Sequence, residues 1–191
     1  MDIPPELHEQ NRALCGLQGD VVWVRLNRIN DSHRINATLA HELRAVWAWL
    51  SEENRVPTVV VTGVGPEIFS LGQAADRRGE DLAFTPRRNG VRQRIVAAVN
   101  GSVAREGFAL LAEADVVIAA RNARFSTPTL PTGTMVTGGS PAWLSAIDWS
   151  TPVDAEAARD AGLVDDVVDL ASLKEVARAA SSVHPSDPAR V

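Results

Sequence analysis

Long apolar runs are absent from this 191-residue chain, so no stretch has the length needed to cross a bilayer as a helix. Its first ten residues, MDIPPELHEQ, have neither a basic start nor an apolar core, and the expectation is a cytosolic protein. Excess positive charge is also missing. With 19 Lys and Arg against 24 Asp and Glu the net charge is -5, which leaves no basic footprint for nucleic acid. Cys15 is the only cysteine. It excludes an intrachain disulfide, and Leu14, Gly16 and Leu17 beside it supply no cation to lower its pKa, so a half-buried thiol is expected rather than a nucleophile. His8, His33, His41 and His184 stand at spacings that suit no metal set, so no metal or other cofactor is expected. Gly63-Val64-Gly65 lacks the third glycine and the following helix of a nucleotide-binding loop. Gly138-Gly139-Ser140-Pro141-Ala142 lacks the last glycine of a nucleophile elbow, and a proline follows its serine. No segment repeats.

What is present reads as one α/β domain over residues 1–191, with 45% hydrophobic and 23% charged residues, an ordinary globular composition. Residues 1–19 read as a loose lead-in, with a helical turn around Glu6 to Leu14. Val21–Leu26 is a β-branched run and the first expected strand. Asn36 is placed to cap a helix, on which Leu39, Leu43, Val46, Trp47 and Leu50 form one apolar stripe. Thr58–Thr62 has the composition of a strand buried on both faces, and a glycine-bearing loop follows to Ala75. Asp76–Asn89 has no hydrophobic period and reads as a mobile surface loop. The central stretch, AAVNGSVAREGFALLAEADVVIAA from Ala97 to Ala120, reads as strand, Asn100-Gly101 turn, short amphipathic helix and strand. A helix start of this kind suits a carbonyl oxygen or an anion. After it come Ala123-Arg124-Phe125, a Pro/Thr/Gly loop over 127–139 and a short helix at 142–147. A second helix is capped by Asp154 and ended by Gly162; a strand over 163–168 and a helix over 172–182 precede a tail at 184–191.

Four collinear stretches, VVWVRLNRINDSHRINATLAHEL, VVVTGVGPEIFSLGQ, IVAAVNGSVAREGFALLAEADVVIAARNARFSTP and DAEAARDAGLVDDVV, resemble the crotonase, or enoyl-CoA hydratase/isomerase, superfamily. The resemblance implies a superhelix of ββα units in which two backbone N–H groups form an oxyanion hole for a thioester carbonyl. Its substrate would be an acyl thioester carried by CoA or a carrier protein, and its assembly a homo-oligomer, usually a trimer. The pattern F-S-A-G-A-D reads here Phe69-Ser70-Leu71-Gly72-Gln73-Ala74, which makes Gln73 the first donor. The family's triple-glycine turn reads Arg105, Glu106 and Gly107, which makes Glu106 the second. Gly72 and Gly107 would then line the substrate. The family's helix acid falls on Ala109, the acid after its F-x-x-P turn on Thr129, and the acid used by its isomerases on Thr137. None of these three side chains transfers a proton at neutral pH, so ordinary enoyl-CoA hydration is not expected. The chain also looks trimmed, with much of the family's C-terminal helical layer missing.

Each candidate has two readings. Glu106 is either a relocated acid or base or a carboxylate that complements a helix dipole and pairs with Arg105. Glu113, one turn beyond Ala109, either turns to the cavity or has a surface or ion-pair role. Glu67 is expected in solvent. Thr127, Thr129, Thr132, Thr134 and Thr137 either orient a polar acyl group or stabilise turns. Arg28, Arg34, Arg77, Arg78, Arg87 and Arg88 either meet the phosphates of a CoA arm or solubilise the surface. Two functions remain: a non-standard thioester enzyme working through the oxyanion hole, and a degenerate homologue serving as accessory subunit to a biosynthetic enzyme.

Overall fold

The structure is a computed structural model, described here for residues 3–74, 84–130 and 142–181. In chain order its elements are α1 (Pro5–His8), β1 (Ala13–Gln18), β2 (Val21–Leu26), α2 (Ala37–Glu52), β3 (Thr58–Gly63), β4 (Ile68–Ser70), β5 (Arg94–Val99), β6 (Ser102–Arg105), α3 (Phe108–Ala112), β7 (Val116–Ala120), β8 (Arg124–Pro128), α4 (Ala142–Ala146), β9 (Val153–Asp154), α5 (Ala155–Asp160), β10 (Asp166–Val168) and α6 (Leu173–Ser181). They build two sheets. Six strands run in the order β1-β2-β3-β5-β7-β10 and four in the order β4-β6-β8-β9. Only β1 in the first and β9 in the second pair antiparallel to their neighbours.

Three consecutive strand pairs explain this layout. β3–β4, β5–β6 and β7–β8 each send one strand to the large sheet and the next to the small one, where β4, β6 and β8 lie parallel in chain order. The result is the crotonase superhelix of ββα units. β3 is buried along its whole length, as expected of a central parallel strand covered on both faces. Asn36 accepts a 2.9 Å hydrogen bond from the Leu39 N–H and starts α2, whose stripe Leu39, Leu43, Val46, Trp47 and Leu50 is wholly buried. It packs into a core that also takes Phe69, Val103 and Phe125 from the small sheet. Asp154 caps α5 through the Ala157 N–H at 2.8 Å, and Gly162 follows it with φ +82°, the left-handed conformation that glycine adopts freely.

Three expectations are corrected. The lead-in is not loose over its second half, because β1 pairs with β2 along its length and Glu42 of α2 accepts the Arg12 and Ala13 N–H groups at 2.7 and 2.8 Å. The central stretch is strand–strand–helix: β6 stands between the Asn100-Gly101 turn and α3, and α3 is buried throughout rather than amphipathic. The last part of the expected surface loop is packed. Phe84 and Thr85 are fully buried, and the Phe84 carbonyl accepts the Trp47 indole N–H at 2.8 Å. Residues 76–83 of that loop, and the tail at 184–191, lie outside the described residues.

Candidate functional site

The small sheet brings together the two turns that the sequence singles out. After β4 the chain passes Leu71–Ala74, and most of its backbone donors there are fixed by structural acceptors. The Leu71 N–H donates to the Ser32 carbonyl at 3.1 Å, the Gly72 N–H to Ser70 Oγ at 3.4 Å and the Ala74 N–H to the Ile35 carbonyl at 3.0 Å. The Ile35 N–H returns to the Gly72 carbonyl at 2.8 Å. Gln73 is the exception. Its N–H donates to the Glu106 side chain, at 3.0 Å from Oε2.

Glu106 reaches that position because β6 ends in an unusual turn. Arg105 has φ +53°, a left-handed conformation that costs a non-glycine residue about 1–2 kcal/mol. The backbone therefore keeps a turn suited to glycine although arginine occupies it. Gly107 follows, where a Cβ would stand 2.5 Å from the Ser70 carbonyl oxygen. At Gly72, φ is +90°, and a Cβ would lie 2.5 Å from Glu106 Oε2 and 3.1 Å from the Glu106 backbone nitrogen. The two turns thus meet at closer range than any side chain at 72 or 107 would allow. Both expected donors border Gly72, and the carboxylate of one residue occupies the N–H of the other. Its side chain is 14% exposed, with Arg105 Nε at 3.7 Å from the same oxygen, a weak partner at that range. The Gln73 side chain adds an unused donor: its Nε2 is buried and finds no acceptor among the described residues.

The other expected residues divide. Thr129 is exposed, and its N–H donates to the Arg105 carbonyl at 3.1 Å, so the position matching the family's second acid borders this turn. Ala109 is fully buried on α3. Arg34 is exposed and precedes Ile35, the residue bridged to Gln73. Glu67 is exposed, as expected. The expectation that Glu113 turns to the cavity or to the surface is corrected. It is fully buried at the far end of α3 from Glu106 and accepts the Arg87 N–H at 2.7 Å, which ties the 84–90 segment to the helix. Thr137 lies outside the described residues. Burial pushes the Cys15 thiol up to about 12, which keeps it protonated and inert. Among the described residues no cluster of His, Cys, Asp or Glu could hold a metal ion, and no helix is long and apolar enough to cross a membrane.

One supporting group was not legible in advance. His33 is buried, accepts the Arg28 N–H on Nδ1 at 2.9 Å and faces the Val64 carbonyl with Nε2 at 2.8 Å. These two contacts fix the neutral tautomer with its proton on Nε2. Its own carbonyl accepts the Ser70 hydroxyl at 3.1 Å, so the imidazole anchors the loop that presents Gln73. Burial holds its pKa below the usual histidine value, reinforced by the Arg28 charge and opposed by the Val64 hydrogen bond. A lone histidine in a polar turn carries no periodic signal.

Comparison with known proteins bears on the family and the fold. Residues 16–184 match the family model described as enoyl-CoA hydratase/isomerase. A mevalonyl-coenzyme A hydratase of Beauveria bassiana is 30% identical over 72% of the chain and 55% of its own length; that of Aspergillus fumigatus is 27% identical over 63% and 48%. The chain thus spans about half the length of these two curated relatives. A carnitinyl-CoA dehydratase of Shigella flexneri is 28% identical over 84% of the chain and 69% of its own. Among solved structures, an enoyl-CoA hydratase/isomerase from Mycobacterium paratuberculosis superposes with a TM-score of 0.72 at 21% identity, covering 90% of this chain and 74% of that one. The interleaved sheets, the paired turns around Gly72 and the match over residues 16–184 make this chain a member of the enoyl-CoA hydratase/isomerase family.

Proposed function

We propose that the protein binds an acyl thioester with its carbonyl oxygen between the Gln73 and Glu106 N–H groups, and that Glu106 is the acid or base acting on it. One observation carries this reading: an anionic oxygen already sits 3.0 Å from the Gln73 nitrogen, where an enolate oxygen would be stabilised. The carboxylate and an incoming carbonyl compete for that N–H, so the substrate enters as Glu106 swings away. The displaced carboxylate then lies beside the α-carbon, within reach of the proton to be removed. Because Ala109 and Thr129 carry no proton-transfer group, hydration would lack its second acid, and a one-base reaction through an enolate fits better. The buried Gln73 Nε2 favours an acyl chain bearing an acceptor, and the relatives named for mevalonyl and carnitinyl thioesters point the same way. Arg34, exposed beside the donor loop, would meet the charged arm of the carrier.

The Glu106–Gln73 hydrogen bond also favours a second reading, in which the site is retired and the chain serves as an accessory subunit. Exchange of α-protons in D2O separates the two, followed by mass spectrometry over saturated and hydroxylated acyl-CoAs. The enzyme reading expects exchange in at least one of them, slowed about 10²–10⁴-fold in Glu106→Gln with binding retained. Unchanged exchange in that variant removes Glu106 from the mechanism. If no thioester binds or exchanges, the accessory reading replaces the enzymatic one.

A further inference from the structure

The face of the large sheet opposite α2 is covered unevenly. α6 lays Leu173 and Ala177 over Val60, Val96 and Ile118 and packs on β3, β5 and β7. Over β1 and β2 a cavity of about 210 Å³ remains, lined by Gly16, Trp23, Thr62, Ala98, Leu173 and others. The sequence explains the space. Gly16 is paired directly with Trp23 across the β1–β2 ladder, so the indole has no cross-strand side chain beside it, and a Cβ at Gly16 would meet nothing within 4 Å. Trp23 is only 4% exposed, yet its buried Nε1–H has no hydrogen-bond acceptor among the described residues, a state that buried donors rarely keep.

The lining is one-sided in charge. Arg25 and Lys174 are its ionisable residues, Arg25 is exposed, and Lys174 Nζ lies 5.6 Å from the centre of the Trp23 ring. Among the described residues no carboxylate lines the cavity, although the whole chain carries a net charge of -5. An apolar floor, the ring of Trp23 and two cations at the rim form a complement to a small amphiphilic anion. The volume falls below the ~300–1,000 Å³ of drug-sized sites and suits a molecule of about ten non-hydrogen atoms.

We propose that this cavity binds a small aromatic or short-chain carboxylate, its body against Trp23 above Gly16 and its charge between Arg25 and Lys174. The site is separate from the Gln73–Glu106 turns and does not depend on the reading given to them. The test follows the Trp23 indole N–H in ¹H–¹⁵N spectra during titration with phenylacetate and with its neutral isostere phenylacetamide. A saturable shift is expected with phenylacetate, weaker by about two- to fivefold in each of Arg25→Gln and Lys174→Gln. Phenylacetamide should bind more weakly than phenylacetate, Gly16→Leu should abolish the shift by filling the space, and Glu106→Gln should leave it intact. The same spectra report whether each variant is folded. A stationary Trp23 signal, equal affinity for the amide, or a shift that survives Gly16→Leu overturns the proposal. A shift produced by concentrating the protein alone assigns the cavity to a second copy of the chain and overturns it equally.

Discussion

Arg105 shows how a single residue can keep a backbone while losing the residue type that suits it. Its φ of +53° is maintained by the Thr129 N–H on its carbonyl and by the Gly107 N–H on the Ala104 carbonyl, so the turn persists under strain. Arg105→Gly should therefore stabilise the protein. Relief of about 1–2 kcal/mol is offset by about 0.5–1 kcal/mol of extra unfolded-state entropy, and urea unfolding should show a gain of up to about 1.5 kcal/mol. A loss of stability would mean that the arginine side chain contributes more than its backbone costs. That the family's glycine turn reads Arg105-Glu106-Gly107 was visible in the sequence. Where the Glu106 carboxylate ends was not, because it crosses 33 positions to Gln73, and no local pattern encodes a contact of that span.

At the scale of elements, legibility followed length and period. α2, β2 and β3 could be read from the stripe through Leu50, the Asn36 cap and two β-branched runs. β4 and β6 could not: they have three and four residues, and β6 offers a single fully buried one, Val103, too little for an alternating pattern to show. Phe84 and Thr85 were hidden for a related reason, since the acceptor that Phe84 offers Trp47 lies in a polar, aperiodic segment. The turn between β2 and α2 carries a prediction of its own. His33 must stay neutral to accept the Arg28 N–H, and its pKa is held below the ordinary value near 6.5. The unfolded chain therefore takes up a proton on this group that the folded chain refuses. Stability is complete above about pH 6.5 and falls as pH drops below it, by up to about 1.4 kcal/mol per unit until the folded-state pKa is reached. Unfolding measured from pH 7.5 to 5 should show this slope, and His33→Gln should flatten it while lowering stability at pH 7.5. An equal slope in the variant would assign the dependence to other groups.

Over the whole molecule, a buried side chain ties the two sheets together where one passes into the other. Asn100 accepts the Gly63 N–H at 2.9 Å and donates to the Gly65 and Ile68 carbonyls at 2.7 and 2.9 Å, fastening the end of β3 to the start of β4. Gly101 beside it is required for close approach, because a Cβ there would stand 2.0 Å from the Glu67 carbonyl carbon. The pair therefore acts as a knot between layers as well as a turn. Asn100→Ala strands one backbone donor and two backbone acceptors at about 1–3 kcal/mol each and takes an acceptor from the Thr62 hydroxyl, so denaturation should show a loss of several kcal/mol, against well under 1 kcal/mol for a typical surface substitution. A loss below 1 kcal/mol would show that water replaces the amide. Because Gln73 and Glu106 belong to successive units joined at this knot, the N–H pair exists only once both sheets have assembled. Its occupant is far easier to change than its frame. Every glutamate codon becomes a glycine codon by one substitution at its middle base, so a single transition at codon 106 deletes the carboxylate and frees the Gln73 amide it holds: the filled and the empty versions of this site are adjacent genotypes.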